Sequence, residues 1–283
     1  MSVFIRNKRY TGPLQGAILD WAGTAVDYGC MGPADVFLKV FNEININVTV
    51  AEARQFMGLM KKDHIRGMCN LPSVVAQWVS QHGRKPDESD VEKLYERTES
   101  LMVGAIADNA ELIPGVHEAV QGMRDRALSI GSCTGYTTSM MDVLVPIAKE
   151  KGYSPDAVVC SSDVPAGRPY PWMCYLLAMK MDIHPMESMV KIGDTLSDIQ
   201  EGLNAGMWTI GLTKSGNELG LTEAEVNALD LTDLHSRLKA IEANYSEVGS
   251  HYIVEGIWDC LPIIDDINNR LAKGEHPMDQ LGK

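Results

Sequence analysis

The strongest constraint on the fold of this chain is the alternation of short apolar runs with helix-like stretches. Ala17-Ile18-Leu19, Leu128-Ser129-Ile130, Ala157-Val158-Val159, Met189-Val190-Lys191-Ile192 and Trp208-Thr209-Ile210 are each followed by small or polar residues, the pattern of buried parallel strands. Between them, Gly115 to Arg126, Ser139 to Lys151, Tyr170 to Met181 and Ser197 to Ala205 carry helical spacing. The alternation predicts an α/β fold with a Rossmann-like parallel sheet covered by helices. One interval breaks the rhythm, because the first and second runs lie more than a hundred residues apart. That is too long for one crossover, and most of it is helical in pattern, over Ala34 to Asn45, Val50 to Cys69, Leu71 to His82 and Glu88 to Ala107. It predicts a helical cap domain inserted over residues 30–106, with residues 1–29 and 107–283 forming the core. Glycine and proline between Asp27 and Pro33, and Asp108-Asn109-Ala110 ahead of Pro114-Gly115, predict the hinges. From Leu231 through Arg270 the chain reads as helix and loop packed on the core, and the polar tail after Lys273 as loose.

Ligands of an open α/β sheet gather at the carboxyl ends of its strands, and four sets of residues there are chemically suggestive. Asp20 follows the first run; a carboxylate there can attack phosphorus and split one hard displacement into two, or simply stabilise a turn. In Ser132-Cys133-Thr134-Gly135 a hydroxyl and backbone N–H groups can hold a phosphoryl oxygen. Arg168, in Ala166-Gly167-Arg168-Pro169, can stabilise a transferring group bidentately, or be a solvated loop arginine. Asp194 and Asp198 stand four residues apart at a helix start. Oxygen ligands of this kind suit Mg2+, while Asp198 equally suits a first-turn acid facing the helix dipole.

Composition narrows the partners. A formal charge of -13 with a pI near 4.9 argues against a broad nucleic-acid or anionic-membrane surface. The six cysteines show no C-x-x-C spacing, the start MSVFIRNKRYTGPLQG has no apolar signal core, and no apolar run approaches the ~18 residues of a membrane span. These features predict a reduced, cytoplasmic protein acting on a small molecule.

In the loop Asp20-Trp21-Ala22-Gly23-Thr24, alanine stands where an ester phosphatase of this loop type carries a second acid to protonate the leaving oxygen. Either the loop is inactive or the bond it cleaves is not an ordinary ester. Lys61 favours the second option, because an imine can accept electrons from a breaking carbon–phosphorus bond. Met57, Lys61 and His64 are spaced i, i+4, i+7, which predicts one helical face. A lysine in a dry cleft near another cation is favoured as the free amine; on an unaided helix, a solvated surface lysine is the ordinary reading.

The ordered set Asp20, Thr134-Gly135, Arg168 and Asp194 resembles the haloacid dehalogenase superfamily, whose members use the first-strand aspartate as nucleophile and Mg2+ as cofactor. Within it, Met57-Gly58-Leu59-Met60-Lys61-Lys62-Asp63-His64-Ile65-Arg66, Asp20 to Thr24 with its alanine, Gly135-Tyr136-Thr137, Arg168-Pro169 and Glu218-Leu219-Gly220-Leu221-Thr222 are similar to the phosphonoacetaldehyde hydrolase (phosphonatase) family. The resemblance runs from about Leu14 to Ala272; the N-terminal stretch Met1 to Pro13 departs from it. It implies hydrolysis of phosphonoacetaldehyde to acetaldehyde and phosphate, through a Lys61 Schiff base and an aspartyl phosphate on Asp20, in 2-aminoethylphosphonate degradation. It implies Mg2+ held by Asp20, Asp194 and the backbone carbonyl of Ala22, with Thr134, Gly135 and Arg168 around the phosphoryl group; Asp198 is counted with that set. Met57, His64 and Tyr136 would support the imine, with His64, whose unperturbed pKa is about 6.5, as proton carrier. A homodimer is also implied. The alternative is a magnesium-dependent phosphatase or phosphomutase of the same superfamily acting on a phosphate ester.

Overall fold

The computed structural model describes residues 9–279. Residues 1–8 of the N-terminal stretch and 280–283 of the tail lie outside it.

Strand β1 (Gly16–Leu19) is buried along its length and leads into five helices, α1 (Met31–Glu43), α2 (Val50–Arg54), α3 (Lys61–Cys69), α4 (Pro72–His82) and α5 (Glu88–Asp108). Helix α6 (Val116–Asp125) then precedes β2 (Ser129–Thr134), α7 (Thr138–Glu150), β3 (Ala157–Cys160), α8 (Trp172–Lys180), β4 (Met189–Gly193), α9 (Leu196–Asn204) and β5 (Trp208–Leu212). The chain finishes with α10 (Glu223–Ala228), α11 (Leu231–Val248), β6 (Tyr252–Val254) and α12 (Cys260–Ala272). The six strands form one parallel sheet in the order β3-β2-β1-β4-β5-β6. Residue Ala17 pairs with Ile130 on one side and Val190 on the other, so β1 lies at the centre, where connections leave in both directions. That switch point places the loops after β1, β2 and β4 side by side.

Successive side chains of β1 face opposite layers. Ala17 and Leu19 join the larger core with α6 and α12, while Ile18 meets Cys174 and Leu177 of α8. Helices α8 and α9 cover one face of the sheet and α6 the other, as a sheet buried on both sides requires. The segments joining α1–α5 to the sheet pair with each other: Asp27 N–H donates to Glu111 O at 3.0 Å, and Ile113 N–H to Ala25 O at 3.0 Å. The two linkers thus form a short antiparallel ribbon around the bridge between Val26 and Leu112.

Three expectations need correction. The stretch Val50 to Cys69 is not one helix: it breaks between α2 and α3, so Met57 lies in a turn and only Lys61 and His64 share a helix. Leu231 to Arg270 contains β6, a half-buried edge strand too short to show alternation. The tail after Lys273 is pinned as far as Asp279: His276 pairs with Glu187 at 2.6 Å, Pro277 O accepts from His251, and Asp279 pairs with Arg9. All six cysteines are free and buried, and no helix among the described residues is long and apolar enough to cross a membrane.

Candidate active site

The site is assembled where β1, β2 and β4 end. Asp20 N–H donates to Ile192 O at 3.0 Å, carrying the β1–β4 ladder one residue further and fixing Asp20 at its rim. The following loop closes tightly, with Trp21 O accepting from Ala25 and Val26 at 2.8 and 2.9 Å. Gly23 sits at φ +84, where a side chain would be strained and its Cβ would collide with the Asp194 carboxylate. Neither bond of the bridge between Ala22 and Val26 uses the Ala22 carbonyl, since they run from Val26 to Trp21 O and from Gly23 to Val26 O.

Four buried carboxylates, Asp20, Asp194, Asp198 and Glu201, face two buried cations, Arg168 and Lys191. Arg168 Nη2 lies 2.6 Å from Asp20 Oδ1 and 3.0 Å from Asp198 Oδ1, and its Nε donates to Glu201 Oε2 at 2.9 Å. Among the described residues Asp194 receives only neutral donors, Thr24 Oγ1 at 3.0 Å, the Asn217 N–H at 2.9 Å and the Cys30 thiol at 3.3 Å. Burial raises the pKa of both Asp20 and Asp194, although Arg168 opposes the shift at Asp20. Asp20, Asp194 and Asp198 each offer an oxygen within 4.8 Å of the other two. Surplus negative charge on buried oxygens is the donor set of a hard divalent cation, so the residues fit one. Asp198 is the least free of the three, engaged by Arg168, by Lys191 at 2.9 Å and by its capping box with Thr195. That leaves Asp20 and Asp194 as the carboxylates best placed to hold the ion.

Lys61 opens α3 and is 3% exposed. Its Nζ stands 4.8 Å from the Tyr136 ring centroid and 5.7 Å from that of Phe37. Burial, helped by Arg168, brings its pKa down to about 8, against the pull of Asp20. Lys61, Met57, Thr134, Tyr136, Arg168 and Ala22 share the wall of one cavity of about 20 Å³, room for about one water molecule. Gly135 also lines it, and the Thr134 hydroxyl accepts the Tyr136 N–H at 3.2 Å. Lys62, one residue on, points away and pairs with Glu92.

His64 departs from expectation. It is fully buried outside the cavity wall, stacked on Phe37 at 3.8 Å, with Nε2 2.8 Å from Ala53 O. A carbonyl only accepts, so Nε2 carries the proton and Nδ1 is an open acceptor; Nδ1 has no partner among the described residues. Burial and the nearby Lys61 push its pKa well below the usual histidine value, which keeps the ring neutral.

The segment carrying Met57 and Lys61 seats directly on the sheet's loops. Arg168 Nη1 donates to Gly58 O at 3.3 Å, and the Gly167 N–H points at Met60 Sδ at 3.0 Å. Gly58, at φ +86, fits because it lacks a Cβ, which would collide with Ser197 Oγ. Sequence reasoning passed over Lys191, Glu201, Cys30 and Asn217. Lys191 had left a signal, a charge inside an otherwise apolar strand, and Glu201 follows Asp198 by three residues on the same helix face.

Comparison with known proteins agrees with this arrangement. Residues 14–206 match the haloacid dehalogenase-like hydrolase family. Over 277 residues the chain is 53% identical to a phosphonoacetaldehyde hydrolase of Syntrophobacter fumaroxidans, covering 98% of this chain and 100% of that protein. A phosphonoacetaldehyde hydrolase of Nitratidesulfovibrio vulgaris is 50% identical over 98% of this chain and 99% of its own length. The crystal structure of a phosphonoacetaldehyde hydrolase-like protein from Oleispira antarctica superposes with a TM-score of 0.94 at 36% identity, covering 98% of this chain and all of that one. With a parallel sheet, a buried Asp20–Arg168 pair and near full-length likeness all in agreement, the chain belongs to the haloacid dehalogenase-like hydrolases and, within them, to the phosphonoacetaldehyde hydrolase family.

Proposed function

We propose that the protein hydrolyses the carbon–phosphorus bond of phosphonoacetaldehyde, giving acetaldehyde and orthophosphate. The observation that carries the reading is the placing of a buried amine, Lys61, in the same small cavity as Arg168, which holds Asp20, with alanine at position 22. A carboxylate nucleophile without a second acid suits a leaving group that needs no protonated oxygen, and an amine whose pKa lies at about 8 is partly free at neutral pH.

In this reading the Lys61 amine condenses with the aldehyde, releasing water. Asp20 attacks phosphorus, and the carbon–phosphorus electron pair passes into the protonated imine to give an enamine. The enamine takes a proton at carbon and is hydrolysed to acetaldehyde and free Lys61; water then cleaves the aspartyl phosphate. Arg168, Thr134 and the Gly135 backbone hold the phosphoryl oxygens, while Met57 and Tyr136 enclose the imine. His64, neutral and behind the cavity wall, offers Nδ1 as a hydrogen-bond acceptor only and is not the titrating proton carrier expected from its ordinary pKa. A cation held by Asp20, Asp194 and the Ala22 carbonyl, which we take to be Mg2+, would supply positive charge opposite the phosphoryl oxygens. Residues 30–106 act as a cap whose seating excludes bulk water.

The test is a paired assay of acetaldehyde and phosphate from phosphonoacetaldehyde, with borohydride capture of the imine from acetaldehyde. Wild type releases both products equally and is captured at Lys61. Lys61→Arg retains charge without a condensing amine, so turnover falls by orders of magnitude and capture is lost. Near-normal turnover in that variant would sink the imine route, and efficient turnover of simple phosphate esters by wild type would favour an ester phosphatase instead.

A further inference from the structure

Arg168 is gripped from behind by groups that the proposed chemistry does not use. Glu201, on α9 and fully buried, accepts from Arg168 Nε at 2.9 Å and lies 3.1 Å from Lys191 Nζ. Lys191, fully buried inside β4, also stands 2.9 Å from Asp198 Oδ1 and 3.0 Å from Cys133 Sγ. On the other side of the guanidinium, Nη2 meets Asp20 Oδ1 at 2.6 Å and Cys133 O at 3.0 Å, while Nη1 reaches Gly58 O at 3.3 Å beside the cavity.

A guanidinium is rigid and planar, so fixing two of its nitrogens fixes the direction of the third. With Nε held by Glu201 and Nη2 by Asp20 and Cys133 O, Nη1 is aimed at the cavity side. The electrostatics point the same way. Asp20, Asp198 and Glu201 all lie against Arg168, and carboxylates left to it alone would bind its charge inward. Lys191 bridges Asp198 and Glu201 and neutralises much of that pull, leaving the Arg168 charge available to an anion in front.

We propose that Glu201, backed by Lys191, is a positioning residue that holds the Arg168 fork towards the phosphoryl group. This rests on the reading of the cavity as a phosphoryl-transfer site. Two variants test it: Glu201→Gln, which keeps the shape and weakens the grip on Nε, and Glu201→Gln with Lys191→Met, which removes both charges together so that no buried amine loses its partner. Four quantities are read on each folded variant: kcat, KM, calorimetric affinity for inorganic phosphate with Mg2+ present, and borohydride capture of the Lys61 imine with acetaldehyde.

A loosened fork lowers kcat by about 10²-fold and weakens phosphate binding, while imine capture, which needs the Lys61 amine and touches the fork only through Gly58, falls by far less than kcat. Unchanged kcat and phosphate affinity in either folded variant would overturn the assignment. So would imine capture that falls in step with kcat, or failure of both variants to fold, since each marks a purely structural ion pair. Wild-type protein that binds phosphate but forms no imine would defeat the aldehyde chemistry while leaving Glu201 to be judged on phosphate affinity.

Discussion

At pH 7 the Lys61 amine occupies a place that disfavours its charge, with a pKa brought down to about 8 from its ordinary 10.5 by burial. Below pH 8 both folded and unfolded chains carry the proton, and the penalty is complete. Between 8 and 10.5 the unfolded chain binds more protons, so stability rises with pH across that window. Lys61→Met therefore stabilises the protein at pH 7, by on the order of 3 kcal/mol, and the gain shrinks as the pH approaches 10.5. Urea unfolding of both proteins at pH 7 and pH 10 measures this; a gain independent of pH would contradict it. Activity follows the same titration, with wild-type kcat/KM climbing through about pH 8 as the free amine forms. The role expected of this lysine was legible from Ala22 and from the resemblance of its segment, not from helical spacing, which the turn at Met57 breaks; the state of His64 was not legible. Whether an imidazole titrates depends on the Ala53 carbonyl and the Phe37 ring against it, neighbours that its own segment does not name.

The turn between α2 and α3 is the element on which the two halves of the site depend. Helical periodicity over Val50 to Cys69 concealed it, because Met57 keeps an i, i+4 relation to Lys61 in number while lying in a turn that presses on the loops after β2 and β4. Gly58 was the available clue. At φ +86 an alanine loses on the order of 1–2 kcal/mol, and its Cβ would strike Thr195 and Ser197 oxygens. Gly58→Ala should thus leave far-UV circular dichroism near wild type and lower stability by only that amount, while kcat/KM drops by about 10²-fold, as misplacing Lys61 by an ångström would do. Near-normal kcat/KM would show that the turn finds another seat. The sheet was far more legible: four of its six strands coincide closely with apolar runs, β2 extends further to include Thr134, and β6 escaped because three half-buried edge residues leave no periodic trace.

Over the whole molecule, charge is distributed so that the excess acid lies inside the site as well as on the surface. The chain carries -13 overall, yet the buried floor of the site holds four carboxylates against Arg168 and Lys191, and among the described residues Asp194 has only neutral donors around it. A fold that buries uncompensated charge is less stable without a counter-ion, and a cation that binds only the folded state returns that stability by mass action. Mg2+ should raise the unfolding temperature and chelation should reverse the rise, with a gain of about 2.7 kcal/mol at a hundred times the dissociation constant. Asp194→Asn separates this account from a general salt effect. Removing the least compensated carboxylate should raise the metal-free unfolding temperature, because burial disfavours its charge. The same variant should lose the Mg2+-induced shift and its turnover. A variant less stable than wild type without metal, or one that still responds to Mg2+, would place the cation elsewhere and leave Asp194 as a structural acid held by Thr24 and Asn217.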